Sequence, residues 1–160
     1  MKPLINLDEL KLEVHGKGAY HQKFGVVSDR IGAKKLGYNL TIVPPGGRAC
    51  PFHHHYGIEE MFIVLKGTGT LRFGDAEYPL WPRDVIACPA GPAEVAHQII
   101  NTSDTELEYL AISTRDSVDV AEFPDSGSVR VIVGKPGATD FRGDFDAAAT
   151  VDIEEPEGEA

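Results

Sequence analysis

The apolar residues of this chain come in short runs broken by glycine and proline, and no long stretch repeats them at the 3.6-residue spacing of an amphipathic helix. That pattern predicts strands. The clearest run is 36–43, stopped by Pro44-Pro45-Gly46-Gly47, and others follow at 60–65, 70–73, 77–80, 85–88, 96–101, 107–113 and 129–133. Turn signals at Gly74-Asp75, Trp81-Pro82-Arg83-Asp84 and Thr102-Ser103-Asp104 space them evenly. The expected fold class is therefore all-β, an antiparallel sandwich or jelly-roll β-barrel.

A chain of 160 residues suits one domain with one core. Only Cys50 and Cys88 are present, not in a Cys-x-x-Cys pair, so no disulfide framework is expected. Each stands in an apolar context that predicts a packed thiol. Met1-Lys2-Pro3-Leu4 does not open a long apolar stretch, which makes a cytoplasmic protein the expectation. The absence of an 18-residue apolar window speaks against a membrane span, and a net charge of −10 against nucleic acid or an anionic membrane as partner. Most of that charge follows Thr139, where eight acidic residues meet only Arg142. We therefore expect an N-terminal extension over 1–35 packing on the barrel, a barrel over 36–133, and an acidic, partly ordered C-terminal extension over 134–160.

Chemistry concentrates at His53, His55, Glu60 and His97. Residues i and i+2 of a strand share a face, so His53 and His55 can offer two imidazoles to one ion while His54 points away, to the surface or beside a ligand. Gly57 lets the chain turn so that Glu60 opens a second strand. After it, 60–65, a turn at Lys66-Gly67-Thr68-Gly69, and 70–73 read as a hairpin carrying the carboxylate. Three imidazoles and one carboxylate suit a divalent transition metal such as Mn, Fe, Ni, Co, Cu or Zn, because borderline ions accept both donor types. The set does not choose among them.

The run from Gly47 through His53, His55 and Glu60 to Gly67 has the spacing G-x5-H-x-H-x4-E-x6-G, and it resembles the first motif of the cupin superfamily at every specified position. A second cupin motif, G-x5-P-x-G-x2-H-x3-N, is resembled by Pro89-x-Gly91 and His97-x3-Asn101. Here Arg83 replaces the leading glycine, and five residues rather than two separate Gly91 from His97. The resemblance spans roughly 36–113. It implies a double-stranded β-helix, the four residues above as metal ligands, a small molecule in the barrel, and a homodimer.

Pro89-Ala90-Gly91-Pro92, Ala96-His97-Gln98 and Phe123-Pro124-Asp125-Ser126-Gly127 look like a bacterial group often labelled sugar-phosphate-isomerase-like. That resemblance implies an isomerase acting on a sugar or sugar phosphate. It would need a base, for which Tyr56, Glu59 and Gln98 are the nearest polar candidates, and a basic anchor from Arg48, Lys66, Arg72 or Arg83. His53 stands where mannose-phosphate isomerases of the superfamily usually carry glutamine. The three-histidine set is closer to oxidative cupins, so an Fe-dependent dioxygenase stays open, as does a module that binds metal or a small ligand without turnover.

Overall fold

The computed structural model describes residues 2–135 and 138–149. Its strands are, in chain order, β1 (Glu13–Lys17), β2 (Tyr20–Val26), β3 (Leu36–Val43), β4 (His54–His55), β5 (Glu60–Lys66), β6 (Gly69–Phe73), β7 (Ala76–Leu80), β8 (Val85–Cys88), β9 (His97–Ile100), β10 (Leu107–Thr114), β11 (Val118–Phe123), β12 (Ser128–Lys135) and β13 (Ala138–Asp146). One short helix, α1 (Ser28–Ile31), and 3-10 turns at Leu7–Glu9 and Ala93–Val95 accompany them.

These strands build the expected antiparallel jelly roll. One layer is a six-stranded sheet in the order β1-β2-β3-β10-β5-β8. The other combines a three-stranded sheet, β7-β6-β9, with a four-stranded one, β13-β12-β11-β4. A single reciprocal backbone pair joins the two: His97 N donates to His53 O at 2.8 Å, and His53 N donates to His97 O at 3.2 Å. Two of the candidate ligands therefore form the seam.

Alternation sets which side chains face inward. On β8, Ile86 and Cys88 are buried while Val85 is 63% exposed. Inward residues of the six-stranded sheet, Val43, Phe62, Val64, Leu107 and Tyr109, pack against Leu71, Leu80 and Ile99 of the three-stranded one. Val43 and Leu107 are fully buried, each contributing about 1.5–3 kcal/mol relative to exposure. A second apolar cluster lies on the outer face, where Leu10, Leu12 and Val27 cover Leu40, Leu65 and Leu110. Strand β2 pairs with β3, so residues before 36 also extend the sheet itself.

The hairpin expected across 60–73 does not form. Strand β5 pairs with β10 and β8, whereas β6 pairs with β7 and β9, so the segment between them carries the chain from one layer to the other. Gly67 makes that corner at φ 80°, and a Cβ there would lie 2.2 Å from the Glu106 carbonyl oxygen. Only glycine fits both conditions. The part of the acidic tail over 150–160 lies outside the described residues, while β13, from its earlier part, pairs along β12.

Arg83 explains its own departure from the motif. It is the one non-glycine residue with positive φ among the described residues, at 81°, in the turn between β7 and β8. Its amide donates to Val64 O at 2.8 Å, and Trp81 N donates to the Asp84 carboxylate at 2.7 Å, which fixes the strained conformation. A left-handed residue with a Cβ costs on the order of 1–2 kcal/mol, partly offset by the greater unfolded-state freedom of glycine. Arg83→Gly is thus expected to stabilise the fold by about 0.5–1 kcal/mol, read as a rise of a few degrees in a thermal melt.

Candidate metal centre

Three imidazoles reach one carboxylate oxygen from the opposite layer. Glu60, first residue of β5, places Oε2 at 3.1 Å from His97 Nε2, 3.4 Å from His55 Nε2 and 3.7 Å from His53 Nε2. The ligand atoms of His53, Glu60 and His97 all lie within 4.8 Å of one another, and this group could hold one ion. His55 meets the same oxygen without belonging to that tightest triple. Ions bound at about 2.0–2.2 Å hold neighbouring donors roughly 3.0–3.6 Å apart, a range that the His97 and His55 distances meet and the His53 distance slightly exceeds.

The remaining ring nitrogens decide what faces the centre. His53 Nδ1 lies 2.8 Å from Pro51 O, His55 Nδ1 2.6 Å from Asp119 Oδ2, and His97 Nδ1 3.3 Å from Val95 O. Each of those oxygens can only accept, so each imidazole carries a proton on Nδ1 and presents Nε2 inward. Three nitrogen lone pairs and a carboxylate then converge on one point. Such an arrangement requires a cation there, a proton or a metal, and the donor set suits the borderline divalent ions.

Electrostatics agree. Burial alone would raise the Glu60 pKa, but contact with His53, His55 and His97 outweighs it and holds the carboxyl well below its usual range. Burial would likewise depress His55, yet the Asp119 hydrogen bond and Glu60 together raise it to about 9. A protonated His55 thus supplies positive charge that a bound ion would replace.

Nothing in the sequence singles out Asp119. It is 3% exposed on β11, while its neighbour Val118 is 54% exposed, so the usual apolar-in pattern is inverted at this point. Its other oxygen accepts from the amides of Gly57 and Ile58 at 3.2 and 3.3 Å, tying the β4–β5 connection to the histidine it orients. Asp119→Asn is expected to weaken metal binding about 10–100-fold, measured by competition with a chromophoric chelator, while leaving the β-sheet circular dichroism unchanged.

His54 is not on the surface. It is 1% exposed on the face of β4 away from the centre, with Nδ1 donating to Gly91 O at 2.8 Å and its ring edge against Tyr56. Parity is as predicted, but β11 and the loop carrying Gly91 cover that face. The longer loop before His97 folds as the 3-10 turn Ala93–Val95 and supplies the Val95 carbonyl that orients His97.

A cavity of about 130 Å³ opens beside His53, Glu60 and His97, while His55 lies outside its lining. Gln98 lines it and is 3% exposed, its amide donating to Cys50 O at 2.8 Å. Tyr56 and Glu59 are exposed and outside the lining. None of Arg48, Lys66, Arg72 and Arg83 lines it either. Arg72 instead lies 3.6 Å over the Phe52 ring and binds Asp125 through both guanidinium nitrogens. Cys88 is buried as expected, its thiol pushed up to about 12 by burial and by Glu60. Cys50 corrects the packed expectation: the residue is exposed, though it borders the cavity, where burial of the thiol and the Glu60 charge hold it at about 11.

This arrangement has recognisable relatives. The cupin domain family model matches residues 39–113. Auxin-binding protein T92 of Nicotiana tabacum is 33% identical over 132 residues, 77% of this chain and 70% of its own length. An oxalate-binding protein of Thermotoga maritima is 32% identical over 97 residues, covering 61% of this chain and 77% of that protein. A crystal structure from Acidithiobacillus ferrooxidans, of a protein provisionally assigned as a sugar phosphate isomerase, superposes with a TM-score of 0.81 at 25% identity over 96% of this chain and 98% of that one. The chain belongs to the cupin family. Those three relatives are named for three different ligands, so family membership fixes the fold and not the reaction.

Proposed function

We propose that the protein is a mononuclear metal-dependent cupin, with His53, His55, Glu60 and His97 as ligands, that holds a small molecule beside the ion in the barrel cavity. The convergence of three Nε2 atoms on Glu60 Oε2, each ring fixed by an acceptor at Nδ1, carries this reading. A bound divalent ion would act there as a Lewis acid toward a ligand oxygen or, if redox-active, as an electron-transfer partner. The protein supplies the shaped, partly apolar chamber and the fixed imidazoles.

Size and lining narrow the ligand. A cavity of about 150 Å³ accommodates a benzene-sized molecule, so the 130 Å³ here fits on the order of six non-hydrogen atoms. Among the described lining residues, Glu60, His53 and His97 are the imidazole and carboxylate groups, and all three already point at the ion position. Tyr109 and the two thiols are held neutral, chiefly by burial. This favours chemistry or binding at the metal over proton shuttling by a separate base.

Likeness to the Acidithiobacillus protein over nearly the whole chain favours a second reading, isomerisation of a sugar or sugar phosphate. Its phosphate would have to lie outside the cavity, in a separate groove of about 460 Å³ bordered by Phe52, Phe123, Asp125, Asp144 and Arg130, where Asp144 already pairs with Arg130. Protein loaded separately with Mn, Fe, Co, Ni, Cu or Zn, assayed for hexose-phosphate isomerisation and for O₂ consumption, separates the readings. Isomerisation that disappears in His55→Ala would establish the second. O₂ consumption without isomerisation would establish an oxygenase, and metal-dependent ligand binding with neither activity a binding module.

A homodimer belongs to the same proposal. Among the described residues, strand β8 is an open edge of the six-stranded sheet with Val85 63% exposed on it, and a second copy would cover that edge. Sedimentation of a monomer at high concentration would refute this.

A further inference from the structure

The cavity extends away from the metal centre beneath strands that the family motifs do not include. Gln22 and Phe24 of β2 and Asn39 and Thr41 of β3 line it. Strands β3 and β2 stand two and three places from β5 in the sheet, on the order of 10 and 14 Å from the strand carrying Glu60. These residues therefore form the end of the chamber opposite the carboxylate. They are neutral, and among the described residues no lysine or arginine lines the cavity.

One atom at that end is unsatisfied. Among the described residues, Gln22 Oε1 is buried and has no hydrogen-bond partner. A buried amide oxygen without a donor is unfavourable, and a ligand that brings a donor relieves it. A second carboxylate or a phosphate would bring only acceptors and a charge that nothing in this lining neutralises.

Resting on the metal-binding reading above, we propose that Gln22 is a specificity-determining residue of this site. It selects a ligand whose end remote from the ion carries a neutral hydroxyl, such as a small hydroxy acid, over a ligand of equal size without a donor there. The chamber is thereby completed by the strand that precedes the family motif, and the N-terminal segment takes part in recognition.

Two six-heavy-atom probes differ only at the remote end: 3-hydroxypropionate carries a hydroxyl where butyrate carries a methyl. Titration of both into metal-replete protein, with metal content measured on the same samples, is expected to show 3-hydroxypropionate binding about tenfold or more tightly. Gln22→Leu should abolish that preference without changing metal content. Should Gln22→Leu misfold by circular dichroism, Gln22→Met makes the same test. Equal or tighter binding of butyrate by the wild type, a preference that survives both apolar variants, or no binding of either probe to metal-replete protein would overturn the inference. A sample that takes up no metal would instead overturn the reading on which it rests, and the inference with it.

Discussion

His97→Ala is expected to take the protein from about one bound ion per chain to almost none after dialysis against a weak chelator. The substitution removes one of four donors and also leaves Glu60 facing a void where its shortest contact, 3.1 Å, had been. Loss of an outer partner alone costs about 10–100-fold in metal affinity, so loss of a direct ligand should exceed that range. The fold should survive, because the backbone pair between residues 53 and 97 does not depend on the side chain. His54→Ala provides the control: its ring lies on the opposite face of β4, so metal content should be unchanged. Elemental analysis of the two variants side by side checks both statements.

Gly67→Ala is expected to be strongly destabilising. A Cβ at φ 80° costs about 1–2 kcal/mol, and this one would also press to 2.2 Å from the Glu106 carbonyl, a contact that only a shift of the corner can relieve. Together these predict a loss of roughly 3 kcal/mol or more, seen as a melting temperature lower by about 6–12 °C. Gly127 isolates the two causes. It has φ 64° with nothing within 4 Å of an added methyl, so Gly127→Ala should show the backbone cost alone, about 1 kcal/mol.

The strands that the sequence announces are those buried on one face. The runs 36–43 and 85–88 coincide with β3 and β8, and the other six predicted strands lie within two residues of their observed bounds. Strands β1 and β13 escape a sequence reading because nearly every residue on them is exposed, which leaves no apolar alternation to detect. Strand β11 hides for the opposite reason, since it buries Asp119 and exposes Val118. The false hairpin at 60–73 shows a further limit: two apolar runs around a glycine turn look alike whether the strands pair or part to separate sheets.

At the site, strand parity puts His53 and His55 on one face, whereas Glu60 and His97 join them through the resemblance to the cupin motifs. Neither signal can reveal what holds the rings, because two of the three acceptors, Pro51 O and Val95 O, are backbone carbonyls that any residue would offer. Gln22 lies beyond reach as well. Its role follows from β2 joining β3 at the edge of the sheet, a long-range pairing with no local signature.

On the proposed reading, one ion is bound by those four side chains. X-ray absorption at the metal edge of stoichiometrically loaded wild-type protein tests it directly. The predicted spectrum has a first shell of nitrogen and oxygen near about 2.0–2.2 Å, with outer-shell scattering that requires three imidazole rings. A spectrum fitted by oxygen ligands alone, by sulfur from Cys50 or Cys88, or by a single imidazole would contradict it.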